Sequence, residues 1–320
     1  DAMREPLLVH QDCDSDTRII GHRLFMGVTR TNCEKSSYIS KIDDKGIITL
    51  FNGVLYNRAE LAASADLENK RGNEGKILAA LLEKHGPDCL NRFSGVFSFV
   101  LADVKAQRLI IGADRCGFEY VYYYADNEKF LFGSRVKSIA NAAKSQLEFD
   151  LHSICDIHNY HAIFNQRTIF KQIKLLPPGS FGIVGNEKVK IHQYWQFPTD
   201  VEPFRHSEPE LLDKAKRLIQ EAVNQSIVDV NDHGIMLSGG LDSRLLAAVL
   251  SRETSNAKAL SIQWSSTKSN DKRLAEKIAN ALNLDFHYFK TNTTDPINLI
   301  QDNIRLSDGV WGFYELLPFF

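Results

Sequence analysis

The sequence has little that would place it outside the ordinary globular class. Its five cysteines, Cys13, Cys33, Cys89, Cys116 and Cys155, are odd in number, far apart, and form no C-x-x-C pair. That pattern argues against a disulfide framework and a thiolate zinc site, and predicts reduced thiols in a cytoplasmic setting. No apolar run approaches the roughly 18 residues that a membrane-spanning helix needs, so no membrane partner is expected. The opening residues, Asp1-Ala2-Met3-Arg4-Glu5-Pro6, lack the apolar core of a signal peptide. A formal charge of −2 offers no global attraction for nucleic acid or an anionic surface, and no nucleic-acid partner is expected. Internal repeats and low-complexity tracts are lacking too. What is present is 320 residues, 43% hydrophobic and 24% charged. At about 100–200 residues per domain, that predicts two domains with sizeable cores.

The first 197 residues read as an α+β layered domain. Residues 18–28 and 47–56 are β-rich runs, the second entered through the turn signal Asp44-Lys45-Gly46. Residues 75–85 have helical spacing, with Ile77, Leu78, Leu81 and Leu82 on one face and Gly86-Pro87 as a stop. Short strands are expected over 96–101, 108–112, 121–124 and 129–133, separated by Asp, Asn and Gly turns, which is an antiparallel rhythm. A helix over 151–160 and a strand pair from Pro177-Pro178-Gly179 to Tyr194-Trp195 complete this part.

Residues 198–209 mix prolines with acidic and polar residues and read as a linker. After it, in 210–320, strands and helices alternate. Helices are expected over 210–230, 244–251 and 271–282, and strands over 234–237, 257–264 and 286–289. Such alternation predicts a doubly wound parallel sheet with helices on both faces.

The most informative string is Ser238-Gly239-Gly240-Leu241-Asp242-Ser243, between the first strand of that sheet and its helix. Adjacent glycines let the backbone approach a ligand and adopt positive φ. The helix N-terminus then aims unpaired N–H groups and a positive dipole end at an anion. Ser238 and Ser243 add hydroxyl donors. Asp242 would repel a bare phosphate, so it predicts a magnesium ion or a helix-capping role. A Walker A loop is excluded, because the Gly-Lys-Ser/Thr ending is absent. A ligand-free turn with a serine cap is the alternative. The string's place at the carboxyl edge of an α/β sheet, where such sheets bind ligands, outweighs it.

Ser238 to Ser243 resembles the pyrophosphate loop of the N-type ATP pyrophosphatases, and nearly the whole chain resembles the asparagine synthetase family. In that family a class II glutamine amidotransferase domain, Ntn-hydrolase-like, precedes an ATP pyrophosphatase domain. Supporting strings are Asn52-Gly53-Val54-Leu55-Tyr56-Asn57, Arg92 to Phe99, Asp114-Arg115-Cys116-Gly117 followed by Tyr123-Tyr124, Leu176-Pro177-Pro178-Gly179, and Tyr194-Trp195. The resemblance implies ATP and Mg2+ as cofactors. It implies nucleotide contacts at Met236, Ser238, Gly239, Gly240, Leu241, Asp242, Ser243 and Ile262, with Asp242 both catalytic and the magnesium residue. Ser261-Ile262-Gln263-Trp264 resembles the second strand, whose backbone contacts adenine in the family. Asp271 reads equally as a further site acid and as a plain N-terminal residue of its helix.

Several positions depart from the family. Its glutaminase needs a cysteine as the first residue of the mature chain, where this sequence has Asp1, and Cys13 cannot carry a terminal amine on its own nitrogen. Val54 replaces a glutamate, Asn73 or Glu74 falls near an expected Asp, and Ala113 replaces an Arg. The expectation is a degenerate glutaminase in which Asn52 and Gly53 form the edge of a tight turn rather than an oxyanion pair. The resemblance then implies ATP-dependent amide-bond formation through a carboxyl adenylate, with release of AMP and pyrophosphate, as in β-lactam synthetases and lasso-peptide cyclases. The substrate would be a small-molecule or peptide carboxylate. Two alternatives stay open: a glutamine- or ammonia-dependent asparagine synthetase represented by a fragment, and a non-catalytic nucleotide-binding subunit. The apolar ending Leu316-Leu317-Pro318-Phe319-Phe320 predicts a truncated second domain, completed by further sequence, a homodimer mate or a partner chain.

Overall fold

The computed structural model describes residues 13–20, 24–31, 37–40, 44–143, 147–185, 188–199, 205–227, 233–263 and 271–290. They fall into two units, divided in sequence between Pro198 and Thr199.

The first unit opens with β1 (Cys13–Ile20) and β2 (Leu24–Thr31), an antiparallel pair in which Ile20 faces Leu24. The run expected over 18–28 is therefore two strands. The division falls at Gly21-His22-Arg23, where glycine is a local turn signal inside an otherwise β-rich run. Then follow β3 (Ser37–Ile39), β4 (Ile47–Leu55), α1 (Arg58–Ser64), α2 (Glu74–His85), β5 (Gly95–Asp103), β6 (Arg108–Ala113), β7 (Tyr122–Ala125) and β8 (Phe130–Gly133). The unit continues with α3 (Val136–Ala143), α4 (Leu151–Tyr160), β9 (Lys174–Leu175), β10 (Ser180–Gly185) and β11 (Lys188–Gln193). One antiparallel sheet runs in the order β11-β10-β6-β5-β4-β3, and a smaller one in the order β8-β7-β9.

Period-two alternation along β5 feeds two cores at once. Phe97, Phe99 and Leu101 join Leu61, Ile77, Leu78 and Leu81 of α1 and α2. Val100 and Ala102 point the other way and join Met26, Ile48, Ile111, Val121 and Leu176. The sheet is thus covered on both faces. The turn at Asp44-Lys45-Gly46 and the stop at Gly86 both use left-handed backbone, with φ of 86° and 66°. Gly75 sits where α2 meets β4: a Cβ there would lie 2.2 Å from Thr49 Oγ1, so the contact excludes a side chain.

The second unit begins with α5 (Glu208–Ser226), which starts inside the stretch read as a linker. Glu210 accepts from Ser207 N at 2.8 Å, a capping interaction that recruits the last linker residues into the helix. Residues 200–204 and 228–230 lie outside the described residues. After α5 come β12 (His233–Met236), α6 (Leu241–Glu253), β13 (Ala257–Gln263), α7 (Asp271–Ala281) and β14 (Asp285–Lys290). The three strands are parallel in the order β12-β13-β14.

This order corrects the expectation of helices on both faces, as far as the described residues go. Both crossovers run in the same direction, and right-handed crossovers then place α6 and α7 on one side. They share one core built of Leu237, Ala247, Leu250, Ala257, Ala259, Ala275, Ala279 and Leu284. Among the described residues the winding never reverses, and the other sheet face exposes Met236, Ile262 and Phe289.

One ion pair of the first unit is buried. Arg58 and Glu74 are 6% and 4% exposed and meet at 3.2 Å, with Asn69 accepting from Arg58 and Gly72 N donating to Glu74. The pair ties the 65–73 connection to both helices. Arg58→Ala leaves the Glu74 charge buried without its partner, so stability should fall by about 3–5 kcal/mol. The measurement is a urea titration, with a lower midpoint and an unchanged slope.

Candidate functional site

In the second unit the strand ends where its alternation stops. Ile235 and Leu237 turn into the helix-covered core, while Met236 is 55% exposed on the opposite face. Leu237 N donates to Leu260 O at 2.7 Å, holding the chain to β13 one residue beyond β12. Then it leaves the sheet. Gly239 has φ 87°, a left-handed conformation that favours glycine, and Gly240 caps α6. Within the loop Ser238 Oγ accepts from Gly240 N at 3.3 Å, Ser243 Oγ donates to Gly240 O at 3.3 Å, and the two hydroxyls lie 3.3 Å apart. These contacts are long and therefore weak, so a better acceptor can replace them. The first N–H groups of α6 have no intrahelical partners, which makes the loop an anion cradle.

Beside the cradle is an apolar shelf. Met236 pairs with Leu260, and Ile262 lies two residues further along β13, so both share one face of adjacent strands. Ile262 is 38% exposed and pairs with Phe289, also exposed. The structure therefore gathers Ser238, Gly239, Gly240, Leu241, Asp242 and Ser243 in one loop, exposed except at buried Gly239 and half-buried Ser243, and Met236 and Ile262 on one shelf. Asp271 opens α7, the helix that follows β13, at the same carboxyl edge of the sheet. Its side chain, and Trp264, lie outside the described residues.

Among the described residues no group of three or more His, Cys, Asp or Glu could hold a metal ion. The loop contributes a single exposed carboxylate, Asp242. One carboxylate together with phosphate oxygens and water is a donor set that suits Mg2+, so the residues fit a magnesium ion that arrives with the nucleotide.

The first unit shows what its motif strings do. Asn52 and Gly53 lie inside β4, facing Ser98 and Phe97 of β5, which corrects their placement at the edge of a tight turn. Gly53 has φ 113°, and a Cβ there would meet Val96 O at 2.1 Å. The two strands simply come too close for a side chain. Asn52 donates its side-chain amide to the carboxylate of Glu119. Sequence reading missed Glu119, whose one signal was its place just after the Asp114 string.

Asp114, 1% exposed, organises that loop. Its carboxylate accepts from the N–H groups of Cys116 at 2.9 Å, Gly117 at 2.7 Å, Glu119 at 3.1 Å, and Phe97 and Phe118 at 3.3 Å. Its carbonyl accepts from Gly179 N at 2.8 Å, Gly179 O accepts from Tyr194 N at 2.8 Å, and Tyr194 donates to Ala113 O at 2.8 Å. Three separate strings of the sequence thus meet around Asp114, through its carboxylate and through the backbone carbonyls beside it. Burial pushes the Tyr194 hydroxyl pKa well above its ordinary value. Ala113 is buried in the apolar core, and Val54 is half-buried. Asp1 and Cys33 lie outside the described residues, as do the side chain of Cys13 and the run from Leu316 to Phe320. Cys89, Cys116 and Cys155 are free thiols.

Two measurements check this arrangement. A buried donor left without its acceptor costs about 1–3 kcal/mol, so Asp114→Ala, which orphans several, should lose about 3 kcal/mol or more of stability. Melting at the parental temperature would contradict the assignment. Burial also raises the Cys89 thiol pKa to about 12, so at pH 8 it stays protonated. Alkylation mapped by mass spectrometry should label exposed Cys116 and Cys155 and spare Cys89 in the native state.

Both parts of the chain resemble known proteins. Residues 15–195 match the glutamine amidotransferase domain, and residues 214–318 match asparagine synthase. A Methanocaldococcus jannaschii protein of the asparagine synthetase type is 29% identical over 223 residues, 68% of this chain and 43% of that one. The asparagine synthetase of Asparagus officinalis is 27% identical over 274 residues, 82% of this chain and 41% of its own. An amidase of Penicillium rubens is 27% identical over 297 residues, 86% and 42% respectively. The chain spans less than half the length of these relatives. With both segments matched in order, and with their strings placed in a glycine-tight strand pair and a Gly-Gly turn into a helix, the chain belongs to the asparagine synthetase family.

Proposed function

We propose that this chain carries the ATP site of an amide-forming ligase, acting on a small-molecule or peptide carboxylate through an acyl adenylate. The observation that carries the reading is the loop from Ser238 to Ser243 at the carboxyl edge of a parallel sheet, with the Met236–Ile262 shelf beside it. An adenine lies naturally on an apolar shelf, and a triphosphate on a helix N-terminus. A carboxylate oxygen attacks the α-phosphorus, the bond to the bridging oxygen breaks, and pyrophosphate leaves. An amine then attacks the acyl carbon and AMP departs. Negative charge develops on the departing pyrophosphate, where the N–H groups of Gly240, Leu241 and Asp242 are placed to stabilise it. Magnesium, when bound, supplies further neutralisation of that charge, and Asp242 is the residue to hold it.

Glutamine hydrolysis is absent in this reading. Its support is that the Asn52 amide is already engaged by Glu119, and that apolar Val54 and Ala113 stand where charged residues would hold a free amino acid. The names of the relatives favour a second reading, asparagine formation from aspartate with glutamine or ammonia as nitrogen source. Substrate dependence separates the two. AMP and pyrophosphate release that requires aspartate, with glutamate released from glutamine, supports the second reading and sinks the first.

Two variants test the site. Gly239→Val puts a β-branched residue at φ 87°, so nucleotide affinity should be abolished while the fold persists. Undiminished ATP binding by that variant refutes the site. Asp242→Asn should melt like the parent, because the residue is exposed, yet lose substrate-dependent AMP formation. AMP made at the parental rate assigns Asp242 to the helix cap, and ADP with phosphate as products rules out the adenylate.

A further inference from the structure

The loop carries a cation that local structure does not account for. Arg244 is exposed in the first turn of α6, two residues after Asp242. That turn already bears partial positive charge from unpaired N–H groups, so a guanidinium there is electrostatically disfavoured. The side chain nonetheless reaches back towards the loop, where its Nε donates to Gly240 O at 3.2 Å. Gly240 O gains little from it, because it also accepts from Arg244 N at 3.2 Å and Ser243 Oγ at 3.3 Å. Asp242 does not neutralise the charge: among the described residues Arg244 forms no ion pair and has this one side-chain hydrogen bond.

The tether has a consequence for the end of the side chain. With Nε held on Gly240, the two terminal nitrogens have no hydrogen-bond partner among the described residues. A guanidinium held so presents paired N–H donors in the geometry that matches two phosphate oxygens. The contact with Gly240 O therefore keeps the cation at the first turn of α6, next to the Gly-Gly turn.

We propose that Arg244 is a binding residue for the polyphosphate end of the nucleotide, contacting its outer phosphates directly. The inference rests on the ATP reading above. It divides the loop's two charges between roles: Asp242 acts through a metal ion, and Arg244 acts on the oxygens themselves. It also makes the site selective for the triphosphate and pyrophosphate over the bare nucleoside.

Isothermal titration of the full chain tests this, using ATP with magnesium, inorganic pyrophosphate and adenosine as probes. Arg244→Ala should weaken ATP and pyrophosphate by about tenfold or more, the scale of one lost charge-assisted contact, and leave adenosine affinity unchanged. Arg244→Lys should recover part of the loss. Should the alanine variant fail to fold, Arg244→Gln keeps a donor for Gly240 and removes the charge, and the same comparison applies. Pyrophosphate affinity equal to the parent's in the charge-less variant overturns the inference while leaving the ATP site standing. An equal loss for adenosine overturns it too, since that marks a disturbed loop. A parent chain that binds neither ATP nor pyrophosphate removes the ATP reading itself, and the inference with it.

Discussion

The buried carboxylate of Asp114 is the point on which the first unit's loops depend. A carboxylate out of water needs donors, and this one finds them in five backbone N–H groups, four of them in the segment just after it. Satisfying it fixes the course of residues 114–119. That course delivers Glu119 to Asn52 and leaves Gly117, at φ 67°, against Pro178, where a Cβ would lie 2.9 Å from the proline ring. Residues distant in sequence are conformationally coupled because one charge has to be neutralised locally.

The second unit uses a different device. Its core is rich in alanine: Ala247, Ala257, Ala259, Ala275 and Ala279 are all buried between sheet and helices. Small side chains let α6 and α7 lie close to the strands, and the position of α6 determines where its N-terminus points. The cradle is therefore a product of packing as well as of its glycines. Larger residues at Ala247 or Ala259 would lift α6 and misdirect the N–H groups without touching the loop.

The two units share one family and differ in what they retain. The loop from Ser238 to Ser243 combines left-handed Gly239, a helix N-terminus without a side-chain cap, two serine hydroxyls and a neighbouring apolar shelf. The amidotransferase unit keeps its architecture, yet its asparagine is held by a neighbouring carboxylate. Glu119 brings negative charge to Asn52, whereas the first turn of α6 presents partial positive charge.

Much of this was legible in the residue order because it depends on short-range chemistry. The helix over Leu151–Tyr160, the stop at Gly86-Pro87, the strand at Ile47–Leu55 and the Gly239-Gly240 turn into α6 all follow from spacing, caps and φ requirements carried by neighbours in sequence. Other features depend on what lies opposite in space. Pairing divided the run over 18–28 between two strands and brought Gly53 so close to Val96 that a backbone carbonyl excludes any Cβ. Strand order alone put α6 and α7 on one face. Arg244 and Glu119 read as ordinary surface charges in the sequence. Tertiary structure gave them partners, Gly240 and Asn52, because a charge acquires meaning from the groups within hydrogen-bond reach, and those groups are brought there by folding.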